Sequence, residues 1–226
     1  VRIRFAVCLG ILAVLLSSCG GSSDNADELA KRLDHAKTQL DDATTVSIKL
    51  KADDLPGDAT GLLTAEGKGN HDPAFTGDVT VQTGGASLSA EVIAVAGKLW
   101  AKTSFAPSFI SVDPESLKAP NPATLLSGDD GISSLLTNTD KLADEGEKRS
   151  GSDVVTSVSG VLDGEIVKRL IPSADVSKKF DVVYALSDDD ELVSARLTGP
   201  FYPDVSSMTY TVRVSTSSKP TKISAP

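Results

Sequence analysis

From Thr45 onward the chain repeatedly alternates apolar and polar residues, and this period of two decides what it can fold into. Val46, Ile48 and Leu50 take one parity and Ser47, Lys49 and Lys51 the other, the pattern of a strand with one buried face. Similar runs fall near 60–68, 76–83, 86–96, 98–104, 141–149, 152–161, 179–187, 191–199 and 206–216. Gly84-Gly85, Ala96-Gly97, Ser150-Gly151 and Ser187-Asp188-Asp189-Asp190 separate neighbouring runs. Connections this short join antiparallel strands, so the runs predict a broad meander. Phe75, Gly77, Val79 and Val81 share one parity of their run, with Thr76, Asp78, Thr80 and Gln82 on the other, so the first set should face whatever covers the sheet.

The cover is written in a different period. Leu29, Leu33, Ala36 and Leu40 recur at helical spacing with Glu28 and Arg32 on the far side, predicting an amphipathic helix capped by Asp24 or Asn25. Asp113-Pro114 and Asn121-Pro122 each place a capping side chain ahead of a proline, followed by Leu117 and by Leu125-Leu126. Ile132, Leu135 and Leu136 continue this helical patch, and the Gly128 to Gly131 segment is a candidate hinge. A last helix should run from an Asp163 cap through Ile166, Val167, Leu170 and Ile171 to the stop at Pro172. An antiparallel sheet covered by short helices is an α+β layout. No long Pro/Gly/Ser linker interrupts it, so residues 26–226 should form a single domain.

Ahead of this stands a leader. Arg2 and Arg4 precede the uncharged stretch Phe5 to Leu16, too short to span a bilayer, which ends in Leu16-Ser17-Ser18-Cys19. Residues 1–18 therefore read as an export signal. Leu16-Ser17-Ser18-Cys19 resembles the bacterial lipobox, which makes Cys19 the expected lipid attachment site and membrane anchor, with 19–25 as lipidated cysteine and flexible linker.

Charge and composition exclude several classes. The 226-residue chain has net charge −9, and without Arg2 and Arg4 it keeps 20 basic against 31 acidic residues, or −11. Such a surface repels a nucleic-acid backbone. Two histidines and two cysteines leave few ligands for a transition metal. No GxSxG elbow, phosphate-binding loop, HExxH or dinucleotide fingerprint occurs, so no catalytic residue, metal or cofactor is assigned. His35 falls on the polar face of the first helix and His71 in a turn, both expected as solvated surface residues, and Asp188-Asp189-Asp190-Glu191 reads as a charged hairpin tip.

The strings VAGKLWAKT (95–103), DPESL (113–117), NPATLLSGDDGISSLLTN (121–138) and EGEKRSGSDVVTSVSG (145–160), in this order, resemble the mycobacterial LppX/LprA/LprF/LprG lipoproteins, most of all the LprG branch. The chain departs from them at Asp181-Val182-Val183-Tyr184 and in its C-terminal strand. The resemblance implies a curved antiparallel half-barrel with helices over its concave face and an apolar cavity between, similar to the Lol lipoprotein carriers. It implies a non-enzymatic envelope protein, anchored on the extracytoplasmic side of the cell membrane or in the cell wall. Such a protein binds a long-chain acylated lipid or glycolipid and helps transfer it, in one branch alongside a major-facilitator exporter. The residues expected to line that cavity are Phe75, Gly77, Val79, Val81, Ala90, Val92, Trp100, Leu125, Leu135, Ile166 and Leu170. Small residues such as Gly77, Ala90 and Ala94 would leave it room. Two alternatives stay open: a filled aliphatic core in an envelope interaction protein with no lipid cargo, and Trp100 packed under the helices instead of lining a pocket.

Overall fold

The computed structural model describes residues 21–113, 121–128, 130–150 and 153–226. Its strands are β1 (Thr45–Asp53), β2 (Gly61–Asn70), β3 (Ala74–Thr83), β4 (Ala86–Val95), β5 (Lys98–Thr103), β6 (Ile110–Val112), β7 (Asp140–Ser150), β8 (Asp153–Asp163), β9 (Lys179–Leu186), β10 (Leu192–Gly199) and β11 (Met208–Ser217). All pair antiparallel in one open, curved sheet of order β6-β5-β4-β3-β2-β1-β11-β10-β9-β8-β7. The alternating runs predicted each of these strands within a few residues, except the three-residue β6. Two meanders meet at the centre, where β1 pairs with β11 from Thr45↔Ser217 to Asp53↔Thr209. The outer edge at β7 carries register shifts at Asp140/Ala143 and Asp144/Glu147 and an almost wholly exposed, charged sequence, features that discourage edge-to-edge pairing.

Helix α1 (Gly21–Asp42) buries Leu29, Leu33, Ala36 and Leu40 to 4% exposure or less, the stripe its periodicity predicts. It starts at Gly21, ahead of the expected cap, so residues 21–25 belong to the helix and not to a linker. Cys19 lies outside the described residues, as do Pro114 to Leu117 of the first predicted Pro-started helix. At the second, Asn121 Oδ1 accepts from the Ala123 N–H at 3.1 Å, but only one 3₁₀ turn, Thr124–Leu126, follows. Helix α2 (Ile132–Thr137) and helix α3 (Gly164–Leu170) complete the cover. Gly131 is required by close packing, because a Cβ there would lie 2.3 Å from the Ser127 carbonyl oxygen. The Asp163 side chain does not cap α3; it pairs with Lys179, while the Gly164 N–H bonds the Lys178 carbonyl at 2.9 Å.

Leu33, Leu136, Val158, Leu162, Val167, Phe180, Val182, Tyr184 and Phe201 form the centre of the main core, between the helices and the β1, β8–β11 half of the sheet. Phe180 and Tyr210 both pack against Phe201, each pair with ring centroids 4.9 Å apart. Burying this many aliphatic and aromatic side chains, each contributing about 1.5–3 kcal/mol, fixes the helices on this half. A second, smaller cluster gathers Phe75, Val92, Ala94, Leu99 and Ala123 on the other half.

Candidate functional site

The strand registers define one continuous face across β2–β6. Its lowest row pairs Gly69, Phe75, Ala94, Leu99 and Val112; the next Gly67, Gly77, Val92, Ala101 and Ile110; then Ala65, Val79, Ala90 and Thr103; and last Leu62, Val81 and Leu88. The rows carry almost no polar side chain.

Burial along this face is graded. At the end nearest the helices Phe75, Ala94 and Leu99 are 2%, 0% and 7% exposed, and Val92 is 4%. Val79, Val81 and Ala90 are half-buried, and Leu88 and Ile110 reach 40% and 58%. The 3₁₀ turn closes the buried end, where Leu126 presses on Gly69 so closely that a Cβ there would lie 2.4 Å from Leu126 Cδ1. At the open end stands Phe105 of the β5–β6 loop, 89% exposed. A hollow of about 430 Å³ beside it is lined by Phe105, Leu88 and Ala90 but mostly by Asp78, Ser87, Ser89, Glu91, Lys102 and Ser104, so it lies mainly on the opposite, polar side of β3–β5 and is not part of the apolar face.

The glycines of this face do not provide empty volume, as the sequence suggested. Gly67 and Gly77 are cross-strand partners, and a Cβ on Gly77 would stand 2.6 Å from the Gly67 Cα and 2.2 Å from the Glu66 carbonyl oxygen. On Gly67 it would meet the Phe75 ring at 2.4 Å. They permit close backbone approach and a flat-lying Phe75.

The structure separates the predicted lining residues. Phe75, Gly77, Val79, Val81, Ala90 and Val92 share the β2–β6 face. Leu135 and Leu170 are buried in the main core, with Leu125 and Ile166 packed against it. Trp100 is corrected outright: it pairs with Ile93 and Ser111, on the parity opposite to Leu99 and Ala101, and so faces away from the helices. Two adjacent apolar residues, Leu99-Trp100, leave the parity of this strand ambiguous from sequence. Its far face also bears a cross-strand charge row, Arg213, Lys49, Glu66, Asp78, Glu91 and Lys102, with Lys49 and Glu66 at 2.7 Å and a polar hollow of about 720 Å³.

The polar residues that matter structurally hold α1 across the sheet. Arg32 Nε donates to Asp190 at 2.5 Å, and Gln39 Nε2 to the Asp189 carbonyl at 2.8 Å, so the acidic turn between β9 and β10 is a clamp as well as a tip. His35 Nδ1 stands 3.6 Å from the same Asp190 and remains 59% exposed. His71 is not the solvated surface residue its turn suggested. In the β2–β3 turn its Nδ1 lies 2.8 Å from the Leu126 carbonyl oxygen and its Nε2 3.1 Å from that of Leu40. No sequence signal marks this, because both partners are backbone atoms, 55 and 31 residues distant. Among the described residues no group of three or more His, Cys, Asp or Glu is placed to hold a metal ion, and no helix is long and apolar enough to cross a membrane.

The model of the LppX_LprAFG lipoprotein family matches residues 27–223. The chain belongs to this family. LprF from Mycobacterium bovis superposes with a TM-score of 0.72 at 15% identity, over 88% of this chain and 97% of that one. LppX from Mycobacterium tuberculosis gives 0.63, also at 15%, over 88% and 99%. No curated protein sequence matches. The expected antiparallel half-barrel with covering helices is thus the fold of the family, and the graded face is a feature of this lipoprotein's own sheet.

Proposed function

We propose that this lipoprotein binds long-chain acylated lipids or glycolipids on the β2–β6 face and helps transfer them across the cell envelope, as a binding protein and not an enzyme. The observation that carries the reading is the burial gradient. A row of aliphatic side chains runs from a closed end at Phe75 and Leu126 through half-buried Val79, Ala90 and Val81 to an exposed end at Leu88, and the helices leave its outer half half-buried. A hydrocarbon chain laid along it would remove that apolar surface from water at about 0.8 kcal/mol per buried CH₂. Acyl chains would therefore dominate affinity and leave the headgroup at the open end. Cys19, through its lipobox, would hold the domain on the extracytoplasmic side of the membrane, where cargo and any exporter partner are met.

The test is extraction of the protein, purified from a mycobacterial host, into organic solvent followed by mass spectrometry. Stoichiometric acylated lipid supports the reading. Lipid-free protein that also fails to take up cis-parinaric acid overturns it in favour of an envelope interaction protein without cargo.

A further inference from the structure

His71 joins three parts of the chain that are distant in sequence: its own β2–β3 turn, the end of α1 at Leu40, and the 3₁₀ turn at Leu126. Both ring nitrogens face carbonyl oxygens, which accept hydrogen bonds and cannot donate them. A neutral imidazole carries one N–H and satisfies one carbonyl, turning a lone pair on the other. An imidazolium carries two and satisfies both. We infer that His71 is a protonation-dependent latch on the segment that closes the buried end of the apolar face, an inference that rests on the lipid-binding reading of that face for its biological purpose.

The mechanical link is direct. Leu126, whose carbonyl His71 holds, is packed on Gly69 of β2, and Ala123, three residues earlier, belongs to the cluster of Phe75, Val92, Ala94 and Leu99. As an imidazolium the ring ties this segment to α1 through both nitrogens. As a neutral imidazole it loses one of the two ties and the closed end of the face loosens. The charged groups on the surrounding elements are Lys37, Asp41 and Asp42 in the last turns of α1, Asp72 beside His71, Asp130 following the 3₁₀ turn, and Lys219 and Lys222 of the C-terminal tail. Lys37 Nζ is bonded to Asp41 Oδ2 at 2.5 Å, and the Thr221 carbonyl accepts from Asn70 Nδ2 at 3.4 Å, which brings the tail to the same turn.

The experiment uses the purified protein at pH 5.5 and pH 8. Ring ¹⁵N shifts report the protonation state of His71, with exposed His35 as reference, since the chain has two histidines. Backbone amide exchange of Leu126 and Ser127, corrected for intrinsic rates, reports the latch; both amides are bonded within the turn, to the Ala123 and Thr124 carbonyls. The expected result is about three- to tenfold less protection at pH 8, the effect of one lost hydrogen bond. His71→Gln should show the lower protection at both pH values. Uptake of cis-parinaric acid should be faster at pH 8 in the wild type and insensitive to pH in His71→Gln. Wild-type protection that does not change while His71 titrates overturns the latch, and needs no variant. Changing protection with no parinaric acid uptake at either pH supports the latch and overturns the lipid reading instead.

Discussion

The hydroxyls of Tyr202 and Tyr210 stand 2.7 Å apart and close a ring of hydrogen bonds on Leu62. The Leu62 N–H donates to Tyr202 Oη at 3.0 Å, and Tyr210 Oη donates to the Leu62 carbonyl at 2.9 Å. This happens where β2 shifts register between Leu62 and Thr64, so two phenols replace a lost rung of the ladder. Tyr210→Phe leaves the Leu62 carbonyl without that partner and should cost about 1–3 kcal/mol, read by urea titration at pH 7.

The same phenols predict how stability responds to alkali. Burial is the main reason that the Tyr184 and Tyr210 hydroxyls lie well above the ordinary tyrosine range, with Tyr202 adding to the rise at Tyr210. A group whose folded pKa is raised contributes its full stability below the unfolded value, about 10, and loses it as pH climbs beyond. Stability should therefore fall above pH 10 by up to about 1.4 kcal/mol per pH unit per group. In Tyr210→Phe the slope should be shallower by one group's share, and an unchanged slope would show that Tyr210 does not contribute.

Val79 is half-buried on the outer part of the apolar face, so a larger ring there meets a ligand before it meets a packed core. Val79→Trp should abolish lipid co-purification while the thermal midpoint moves by only a few degrees. Loss of about 1–3 kcal/mol with no lipid in the wild type would instead mark a filled core.

Gly77→Ala tests the close approach of β2 and β3. A Cβ 2.2 Å from the Glu66 carbonyl oxygen cannot be relieved by rotating a side chain, so the two strands must part. The expected cost is about 1–3 kcal/mol, measured by thermal and urea unfolding, with Gly57→Ala as control because nothing lies within 4 Å of its Cβ position.

Cys19→Ala should move the protein from the detergent phase to the aqueous phase in Triton X-114 partition, as required if the Leu16-Ser17-Ser18-Cys19 string directs acylation. Unchanged partition would place the anchor elsewhere.

Most of the sheet was legible because a half-buried strand must alternate, and Val46-Ser47-Ile48-Lys49 or Phe75-Thr76-Gly77-Asp78 can alternate in only one sense. The α1 stripe was legible for the same reason at its own period. What sequence did not show is which half of the sheet the helices would cover. Leu135, Leu170 and Val92 are equally apolar, and only tertiary packing assigns the first two to one core and the third to another. Trp100 was misplaced because its apolar neighbour Leu99 offers the opposite parity. His71 was misread because a side chain bonded to remote carbonyls leaves no trace in the sequence around it.

The pairing of β1 with β11 has a consequence for how the chain comes to be folded. The seam at the middle of the sheet joins Thr45 to Ser217, so the N-terminal meander can form its hairpins early but keeps β1 as a bare edge until the last strand arrives. Closing a loop that long is slow. The two halves of the sheet thus stay unjoined until β11 is available to β1, and the pairing of the two is what makes one sheet of two meanders.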